Sequence, residues 1–227
     1  MAIQQTPQAD DFKRNLRDVL QRETVNGCAI NFPRHANIYA SGDQNDIIYF
    51  IDNGQVKLLM HSSEGKECLL AIHSGGDIFG ELSLSSIGTR SETATAMKTT
   101  ILKQVPCAQF FSLLSRASLV EGFVRYLAVR VADQQQVIAN LVTVDSEQRL
   151  GQTLLQLART MGKKDPNSIR IELRISHEEL GEMVGTTRPR IGLFMQRFHH
   201  LGLIERNKDH FLIIKEKKLT EYLAQIS

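Results

Sequence analysis

Glycines at nearly even intervals divide the first half of this chain into short β-prone runs. They are Gly42, Gly54, Gly65 and Gly75, which stand 12, 11 and 10 residues apart. Three apolar runs between them cover residues 47–51, 55–60 and 68–72, and residues 91–96 and 100–105 add two further predicted strands. Turns at this spacing are typical of an all-β sandwich or barrel. Within it, Asn53-Gly54 is a strong hairpin signal.

The period of the apolar residues changes after about residue 106. Helical spacing predicts helices over residues 8–22, around 110–114, over 117–144 and over 147–162, with a loop at 162–167 and a strand at 169–173. We therefore expect an α+β protein in three parts. These are a β-roll with flanking helices (1–116), a long helix with a hinge (117–145) and a C-terminal domain (146–227).

The long predicted helix carries an apolar seam. The seam can be drawn through Val120, Phe123, Leu127, Val137, Leu141 and Val144, or nearly as well through Val124, Val131, Ile138 and Leu141. A stripe of this length predicts pairing with a second copy of the chain. The alternative is packing against the chain's own β-roll, and we expect both to occur.

Composition narrows the class of protein. Apolar residues make up 42% of the 227 residues and charged residues 23%, which is ordinary for a soluble globular chain. No apolar run approaches the roughly 20 residues that span a bilayer. The N-terminus also lacks the pattern of a signal peptide. We expect a cytoplasmic protein without a membrane partner.

The metal-binding residue types are scattered. Cys28, Cys68 and Cys107 lie 40 and 39 residues apart, which argues against a disulfide framework or a metal cluster. We expect them to be buried, unpaired thiols. The seven histidines form neither HxH nor HExxH, so no metal site is predicted.

The charge is distributed unevenly along the chain. Residues 1–145 hold 13 Lys and Arg against 15 Asp and Glu, whereas residues 146–227 hold 14 against 10. The basic excess of the C-terminal part is mild. It fits a surface that contacts nucleic acid but does not establish one.

One motif predicts an anion pocket. Phe79-Gly80-Glu81-Leu82-Ser83 opens a predicted short apolar helix, and Arg90-Ser91 follows nine residues after Glu81. Backbone N–H groups at a helix start can bind an anion. The glutamate can accept hydrogen bonds from sugar hydroxyls, while the arginine can clamp a phosphate. This combination predicts a pocket for a sugar phosphate.

The C-terminal part carries a helix-turn-helix pattern. Ser176 and Glu179 form a predicted capping box, and Gly185 ends the first helix. Thr186-Thr187 cap the second helix, in which Pro189 is tolerated in the first turn. Arg188 and Arg190 then lie where base edges and phosphates are reachable if this helix enters a major groove. In isolation they could equally be solvated surface arginines.

A hairpin is predicted to follow the second helix. Residues 205–214 read as two strands, which would make this a winged helix-turn-helix. The flanks of such a domain contact phosphates and set its register on DNA. Lys208 and His210 are weak candidates for that role.

Taken together, these motifs resemble the cyclic-AMP receptor / fumarate–nitrate regulator family of bacterial transcription factors. The resemblance covers most of the chain: the Gly-punctuated roll, FGEL with RS downstream, VDSEQRLGQTLLQLA, and ISHEELGEMVGTTRPRIGLFMQRFHHLGLI. It implies a homodimer with an N-terminal jelly roll that binds a cyclic nucleotide. It also implies a long dimerisation helix, a C-terminal winged helix-turn-helix, and double-stranded DNA and RNA polymerase as partners.

The resemblance assigns roles in the pocket. Glu81 would hold the ribose 2′-hydroxyl, and Arg90 and Ser91 the cyclic phosphate, helped by the backbone of residues 80–83. Arg130 matches an arginine of the long helix that lies close to this site. The family member that binds cyclic AMP has a Thr-Ser pair to read adenine, where this chain has Gln134-Gln135. Glutamine can still donate and accept hydrogen bonds at a base edge.

The resemblance also assigns the DNA contacts. The predicted set is Ser176, His177, Thr187, Arg188, Pro189 and Arg190. Arg188 matches the first arginine of the family's reading helix. The family's Glu and second Arg are replaced by Pro189 and Leu193, and Arg190 is new. We therefore expect a changed base preference, since each bidentate contact discriminates by roughly 1–3 kcal/mol.

Our leading hypothesis is thus a dimeric, sequence-specific regulator controlled by cyclic AMP, without a metal and without enzymatic activity. A regulator that responds to another nucleotide, such as cyclic GMP, or that needs no ligand is the alternative within the class. A metal-dependent cupin-like enzyme is the alternative from another class, and the lack of clustered His and Glu ligands in the roll disfavours it.

Overall fold

The computed structural model describes residues 7–22, 29–62, 67–85, 89–172, 175–208 and 211–226. Its helices are α1 (Pro7–Arg22), α2 (Cys107–Arg116), α3 (Val120–Thr143), α4 (Ser146–Met161), α5 (His177–Val184), α6 (Arg188–His200) and α7 (Glu216–Gln225). Its strands are β1 (Ile30–Phe32), β2 (Asn37–Tyr39), β3 (Ile47–Asn53), β4 (Gln55–His61), β5 (Glu67–Ser74), β6 (Ile78–Phe79), β7 (Thr93–Ala96), β8 (Thr100–Pro106), β9 (Gly162–Asp165), β10 (Ser168–Ile171), β11 (Ile204–Arg206) and β12 (Leu212–Ile214).

The first eight strands form two antiparallel sheets. One sheet has the order β1-β8-β3-β6 and the other β2-β7-β4-β5. Asn53-Gly54 joins β3 to β4, but these strands lie in different sheets and pair with other strands, so the predicted hairpin is wrong. The turn instead carries the chain from one sheet to the other. Gly54 has φ +121°, and a Cβ there would lie 2.4 Å from Thr100 Oγ1. Only glycine fits this close approach without strain.

Two apolar cores hold the roll together. Residues of both sheets, among them Tyr39, Tyr49, Val56, Phe79 and Leu102, pack into a core between the sheets. On the outside, α1, α2 and the first part of α3 pack against β3. This second core contains Phe12, Leu16, Phe50, Phe110, Phe123 and Tyr126. The predicted packing of the long helix against its own roll is therefore confirmed for Phe123.

The C-terminal part is built on α4. Asp145 is the N-cap of α4, and its carboxylate accepts hydrogen bonds from the N–H groups of Glu147 and Gln148. Strands β9 to β12 form a small antiparallel sheet of order β11-β12-β10-β9. The buried side chains of α4, α5, α6 and α7 include Leu154, Leu180, Phe198 and Leu223.

Several local predictions differ from the structure. The predicted loop at 162–167 contains strand β9, which pairs with β10 through residues 162–165. The strand expected at 91–96 begins at Thr93, so Ser91 precedes it. The short apolar helix after Gly80 is a 3₁₀ helix, Glu81–Ser85, with no buried residue.

Cys68 and Cys107 are unpaired, but the prediction that the cysteines are buried is wrong for Cys68. Cys68 is exposed, and Cys107 is half-buried with its sulfur 3.2 Å from Ser83 Oγ. Cys28, like Leu173 of the predicted strand at 169–173, lies outside the described residues. Cys68 is exposed because it lies on the same face of β5 as the exposed Leu70, whereas Leu69 between them faces the core.

The chain divides into two compact units, residues 1–133 and 134–227. The division falls within α3, upstream of the boundary at 145 that the sequence led us to expect. Among the described residues, no helix is both long and apolar enough to cross a membrane.

Candidate ligand pocket and DNA-reading face

Gly80 shapes the turn from β6 into the 3₁₀ helix. Its φ is +80°, and a Cβ there would lie 3.0 Å from Arg90 Nη1 and 3.1 Å from the Ile47 carbonyl oxygen. The Ser83 hydroxyl and N–H both donate to the Gly80 carbonyl, at 2.8 and 3.3 Å. Leu82 is exposed. The backbone here therefore approaches Arg90 as closely as a glycine allows.

Only one of the two carboxylate oxygens of Glu81 has a partner among the described residues. Its Oε1 lies 2.7 Å from Arg130 Nη1 of α3, with both side chains largely buried. Burial alone would lower the pKa of Arg130, but Glu81, Tyr126 and Asp77 together outweigh it and the pKa is raised. The other oxygen, Oε2, is buried and has no hydrogen-bonding partner among the described residues. A buried acceptor in this state is costly unless a ligand donor satisfies it.

Arg90 is held almost entirely inside the roll. It is 3% exposed. Its Nε donates to Asn45 Oδ1 at 3.0 Å and its Nη1 to the Gly80 carbonyl at 2.7 Å, while Nη2 donates to Asn45 and to the Ile47 carbonyl. The guanidinium carbon lies 4.3 Å from the centre of the Tyr39 ring, within the range of a cation–π contact. Arg90 is thus positioned beside Gly80 but directed at internal acceptors.

A buried carboxylate follows Arg90 in sequence. Glu92 is 1% exposed. Its Oε1 accepts from the Tyr39 hydroxyl at 2.8 Å and its Oε2 from the Ser91 hydroxyl at 2.7 Å. Burial, and next the Glu92 charge, raise the pKa of Tyr39 well above its ordinary value, so the phenol remains a donor. Sequence reasoning missed Tyr39 and Asn45 because only the fold brings them to Arg90, and it missed Glu92 because nothing local shows that this glutamate is buried.

A second cluster of titratable side chains lies at the C-terminal end of β5. Asp77 Oδ1 is 2.6 Å from Lys13 Nζ of α1, and Asp77 Oδ2 is 3.9 Å from His73 Nδ1. Burial and then the Arg130 charge lower the pKa of His73 to about 4, so this ring is neutral at pH 7. Its Nε2 has no partner among the described residues. The ring stacks on Phe79, which precedes Gly80.

Gln134 and Gln135 are exposed on α3. They follow Arg130 by about one helical turn, and the division into units separates them from the other predicted pocket residues. Their predicted contact with a base therefore stays a prediction.

The helix-turn-helix has the predicted local structure. Ser176 Oγ accepts from Glu179 N at 3.1 Å, while Ser176 N donates to Glu179 Oε2 at 2.9 Å, which completes the capping box. Gly185 ends α5 in the left-handed conformation, with φ +70°. Thr187 is the N-cap of α6, but its side chain makes no capping hydrogen bond.

The start of α6 presents a basic surface. Arg188, Pro189 and Arg190 are all exposed. His177 Nε2 lies 3.3 Å from Arg206 Nη2 of β11. Partial burial, followed by the charges of Arg206 and Arg188, lowers the pKa of His177. The hydroxyl of Ser176 is engaged in the capping box, so among the predicted set the two arginines are the groups most available to a partner.

The predicted wing is present as the pair β11 and β12, with Ile204 opposite Ile214. Lys208 is exposed. His210 lies outside the described residues. Arg206, which the sequence reasoning did not single out, lies on β11 beside His177 and extends the basic surface.

In the described ranges, no three His, Cys, Asp or Glu side chains come together in a way that could hold a metal ion. The pocket instead offers one acceptor, the unsatisfied Glu81 carboxylate oxygen, together with the donors of two guanidinium groups and a glycine turn. This combination suits sugar hydroxyls and an oxyanion.

Two family models match the two parts of the chain. The model "Cyclic nucleotide-binding domain" matches residues 29–117. The model "Crp-like helix-turn-helix domain" matches residues 148–222. The first match contains Gly80, Glu81 and Arg90, and the second contains α5, α6 and the wing.

Curated relatives cover most of the chain. A "CRP-like cAMP-activated global transcriptional regulator" from Mycobacterium tuberculosis is 29% identical over 191 residues, which are 84% of this chain and 85% of the relative. The "Global nitrogen regulator" of Synechococcus elongatus is 29% identical over 198 residues, 85% of this chain and 88% of that protein.

Solved structures share the fold. A CooA mutant from Carboxydothermus hydrogenoformans superposes with a TM-score of 0.71 at 25% identity, covering 92% of this chain and 95% of that one. FixK2 from Bradyrhizobium japonicum gives a TM-score of 0.74 at 16% identity, covering 86% of this chain and 96% of that one, which shows likeness of fold alone.

A β-roll of the cyclic-nucleotide-binding type, a long helix and a winged helix-turn-helix define a transcription regulator, not an enzyme. The chain belongs to the CRP/FNR family. The fold class and family expected from the sequence are confirmed, and the enzyme alternative is discarded.

Proposed function

We propose that this protein is a homodimeric, sequence-specific transcription regulator whose DNA binding is controlled by a cyclic nucleotide, with cyclic AMP as the first choice. The observation that carries the proposal is the state of Glu81. A buried carboxylate oxygen without a partner among the described residues, at the mouth of a glycine turn beside a buried arginine, supports recognition of a sugar hydroxyl next to a phosphate.

Each pocket residue would contact a different part of the nucleotide. Glu81 would accept hydrogen bonds from the ribose, and Arg130 would hold that carboxylate in its orientation. Arg90 and Ser91 would bind the cyclic phosphate with the help of the backbone of residues 80–83. Gln134 and Gln135 would read the base. The relatives that are named cAMP-activated support cyclic AMP as the effector.

The output would be the DNA-reading face. In a dimer, two α6 helices about 34 Å apart can enter successive major grooves of a pseudo-palindromic operator. Arg188 and Arg190 would contact bases and phosphates, with Ser176, His177, Thr187 and Pro189 beside them. RNA polymerase would be the further partner, and the cytoplasm the compartment in which DNA and nucleotide meet.

Calorimetric titration of the full chain with cyclic AMP and cyclic GMP tests the effector. We expect saturable binding of one of them and at least a ten-fold loss in Arg90→Ala, because the guanidinium would be the main ligand of the phosphate. Arg14→Ala removes an exposed arginine of α1 and is the matched control. Unchanged affinity in Arg90→Ala would refute the assignment of the site.

A second candidate is a regulator of the same family that responds to another ligand or needs none. The internal partners of Arg90 favour it, because the guanidinium is already satisfied by Asn45 and two carbonyls. Operator binding of equal strength with and without every cyclic nucleotide would select this candidate.

A further inference from the structure

The pocket carries its own counter-charges. Arg90 and Glu92 are almost fully buried, at 3% and 1% exposure, and the Glu81–Arg130 pair adds one charge of each sign. The formal charge of these four side chains is therefore zero before any ligand arrives. A cyclic phosphate adds one negative charge, and a buried charge without a counter-charge is costly.

Most of the donors that a phosphate would need are already in use. Four of the five N–H groups of Arg90 donate to acceptors within the roll, and Asn45 Oδ1 accepts two of these bonds. The Ser91 hydroxyl has a single O–H, and it donates to Glu92 Oε2 at 2.7 Å. A phosphate that binds through more than one of these donors therefore has to replace internal contacts.

Tyr39 fixes the carboxylate in place. Its hydroxyl donates to Glu92 Oε1 at 2.8 Å, and its ring lies under the Arg90 guanidinium at 4.3 Å. One tyrosine thus connects the buried cation to the buried anion. The Glu92 carboxylate is oriented through both oxygens, as a positioned counter-ion would be.

We propose that Glu92 sets the affinity of the effector pocket: its buried carboxylate lowers the affinity for a cyclic phosphate by balancing the charge of Arg90 and holding the Ser91 hydroxyl. This inference rests on the proposed function, since it concerns the same site. The consequence for regulation is that the protein binds a cyclic nucleotide only when its concentration is high, because binding must displace the internal counter-charge.

Replacing the carboxylate with an amide tests the charge. Glu92→Gln keeps the shape of the side chain and removes its charge, so we expect cyclic AMP or cyclic GMP to bind about ten-fold or more tightly than to the wild type. Glu92→Asp keeps the charge and shortens the side chain, so its affinity should stay near that of the wild type. Glu67→Gln, which removes an exposed carboxylate of β5, is the matched control.

Asn45→Ala provides a second route should Glu92→Gln fail to fold, which a thermal melt reveals. It releases two N–H groups of Arg90 without touching Glu92, and we expect a tightening of at least about three-fold. All titrations use the full chain, and Arg90→Ala combined with Glu92→Gln should abolish the gain if the nucleotide lies in this pocket.

The outcomes separate the inference from the function. Tighter binding in Glu92→Gln but not in Glu92→Asp supports the inference, even if the wild type binds too weakly to measure. Binding by the wild type with no gain in Glu92→Gln, or an equal gain in Glu92→Asp, overturns the inference and leaves the proposed function intact. Absence of cyclic-nucleotide binding in the wild type and in every variant contradicts both.

Discussion

Gly80 adopts a positive φ, a backbone conformation that is strained for residues with a side chain. Its φ is +80°, and three neighbouring atoms lie within 3.2 Å of the position that a Cβ would occupy, so alanine would have to displace them by a few tenths of an ångström. Gly42 has a similar φ of +92° but no atom within 4 Å of that position. Comparing substitutions at the two glycines therefore distinguishes the cost of a positive φ from the cost of steric crowding.

We expect Gly80→Ala to lower the free energy of unfolding by about 2–3 kcal/mol, against about 1 kcal/mol for Gly42→Ala. The difference arises because alanine at position 80 pushes against Arg90 and the Ile47 carbonyl. Urea unfolding of both variants measures it. Equal losses would mean that the turn relaxes without moving Arg90.

His73 makes stability depend on pH. The pKa of His73 is about 4 in the folded protein and about 6.5 in the unfolded chain. Between these two pH values the unfolded chain binds a proton at this ring and the folded protein does not. Stability from this group is thus complete above about pH 6.5, is lost as the pH falls toward 4, and changes no further below that value. The ring faces Asp77, Arg130 and Lys13, of which the two cations oppose its protonation.

We expect the folded state to lose up to about 3 kcal/mol from this source between pH 6.5 and pH 4. His73→Leu should flatten that part of the curve, whatever its effect at pH 7. Unfolding free energies measured at half-unit intervals of pH test this, and an unchanged slope in His73→Leu would assign the acid sensitivity to other groups.

At the scale of elements, the signals that lie close together in sequence could be predicted. The capping box of Ser176 and the end of α5 at Gly185 each depend on a few neighbouring residues, and the structure has both. The Asn53-Gly54 hairpin was wrong, because the strands on either side of this turn pair within different sheets. Strand β9 was missed because its sequence, Gly-Lys-Lys-Asp, has no apolar alternation and depends on pairing with β10.

The pocket was predictable only in part, for the same reason. Glu81 and Arg90 stand in a recognisable motif. The partners of Arg90 come from positions 39, 45 and 47, and nothing local marks Asn45 or Tyr39 as neighbours of a buried guanidinium. Likewise, a glutamate between a serine and a threonine reads as a surface residue until the fold buries it.

The two helix caps of the reading unit offer a matched comparison. Ser176→Ala removes a side-chain cap and breaks a reciprocal capping box, so we expect a loss of about 1 kcal/mol. Thr187→Ala removes a side chain that makes no capping hydrogen bond, so its loss should be below about 0.5 kcal/mol. Chemical unfolding of the two variants compares them; a larger loss for Thr187 would contradict the geometry.

Helix α3 leaves apolar side chains in solvent. Val124, Val131, Ile138 and Leu141 are between 46% and 62% exposed, and they form one of the two seams expected from the sequence. Phe123 of the other seam is buried in the roll. Dimerisation through the exposed seam is therefore the arrangement we propose.

We expect Ile138→Glu to shift the protein from dimer to monomer, because a charge in an apolar seam has no partner there. Gln136→Glu adds the same charge two residues away, on a different face of the helix, and should leave the dimer intact. Sedimentation velocity at micromolar concentration distinguishes the two; a dimer that survives Ile138→Glu would place the interface elsewhere.

At the scale of the whole molecule, the ligand can act only through its different affinities for two arrangements of the dimer. A ten-fold change in operator affinity needs about 1.4 kcal/mol of such coupling. The same coupling works in reverse, so operator DNA should tighten nucleotide binding by the same factor. The internal charge balance of the pocket would set the concentration at which this happens.

Operator affinity with and without the nucleotide tests the central claim most directly. Duplexes selected from a random pool provide the operator, and fluorescence anisotropy at fixed salt measures its affinity. We predict binding at least about ten-fold tighter with saturating cyclic AMP or cyclic GMP, lost in Arg188→Ala and retained in Lys218→Ala. Identical affinities with and without both nucleotides would contradict control by a cyclic nucleotide.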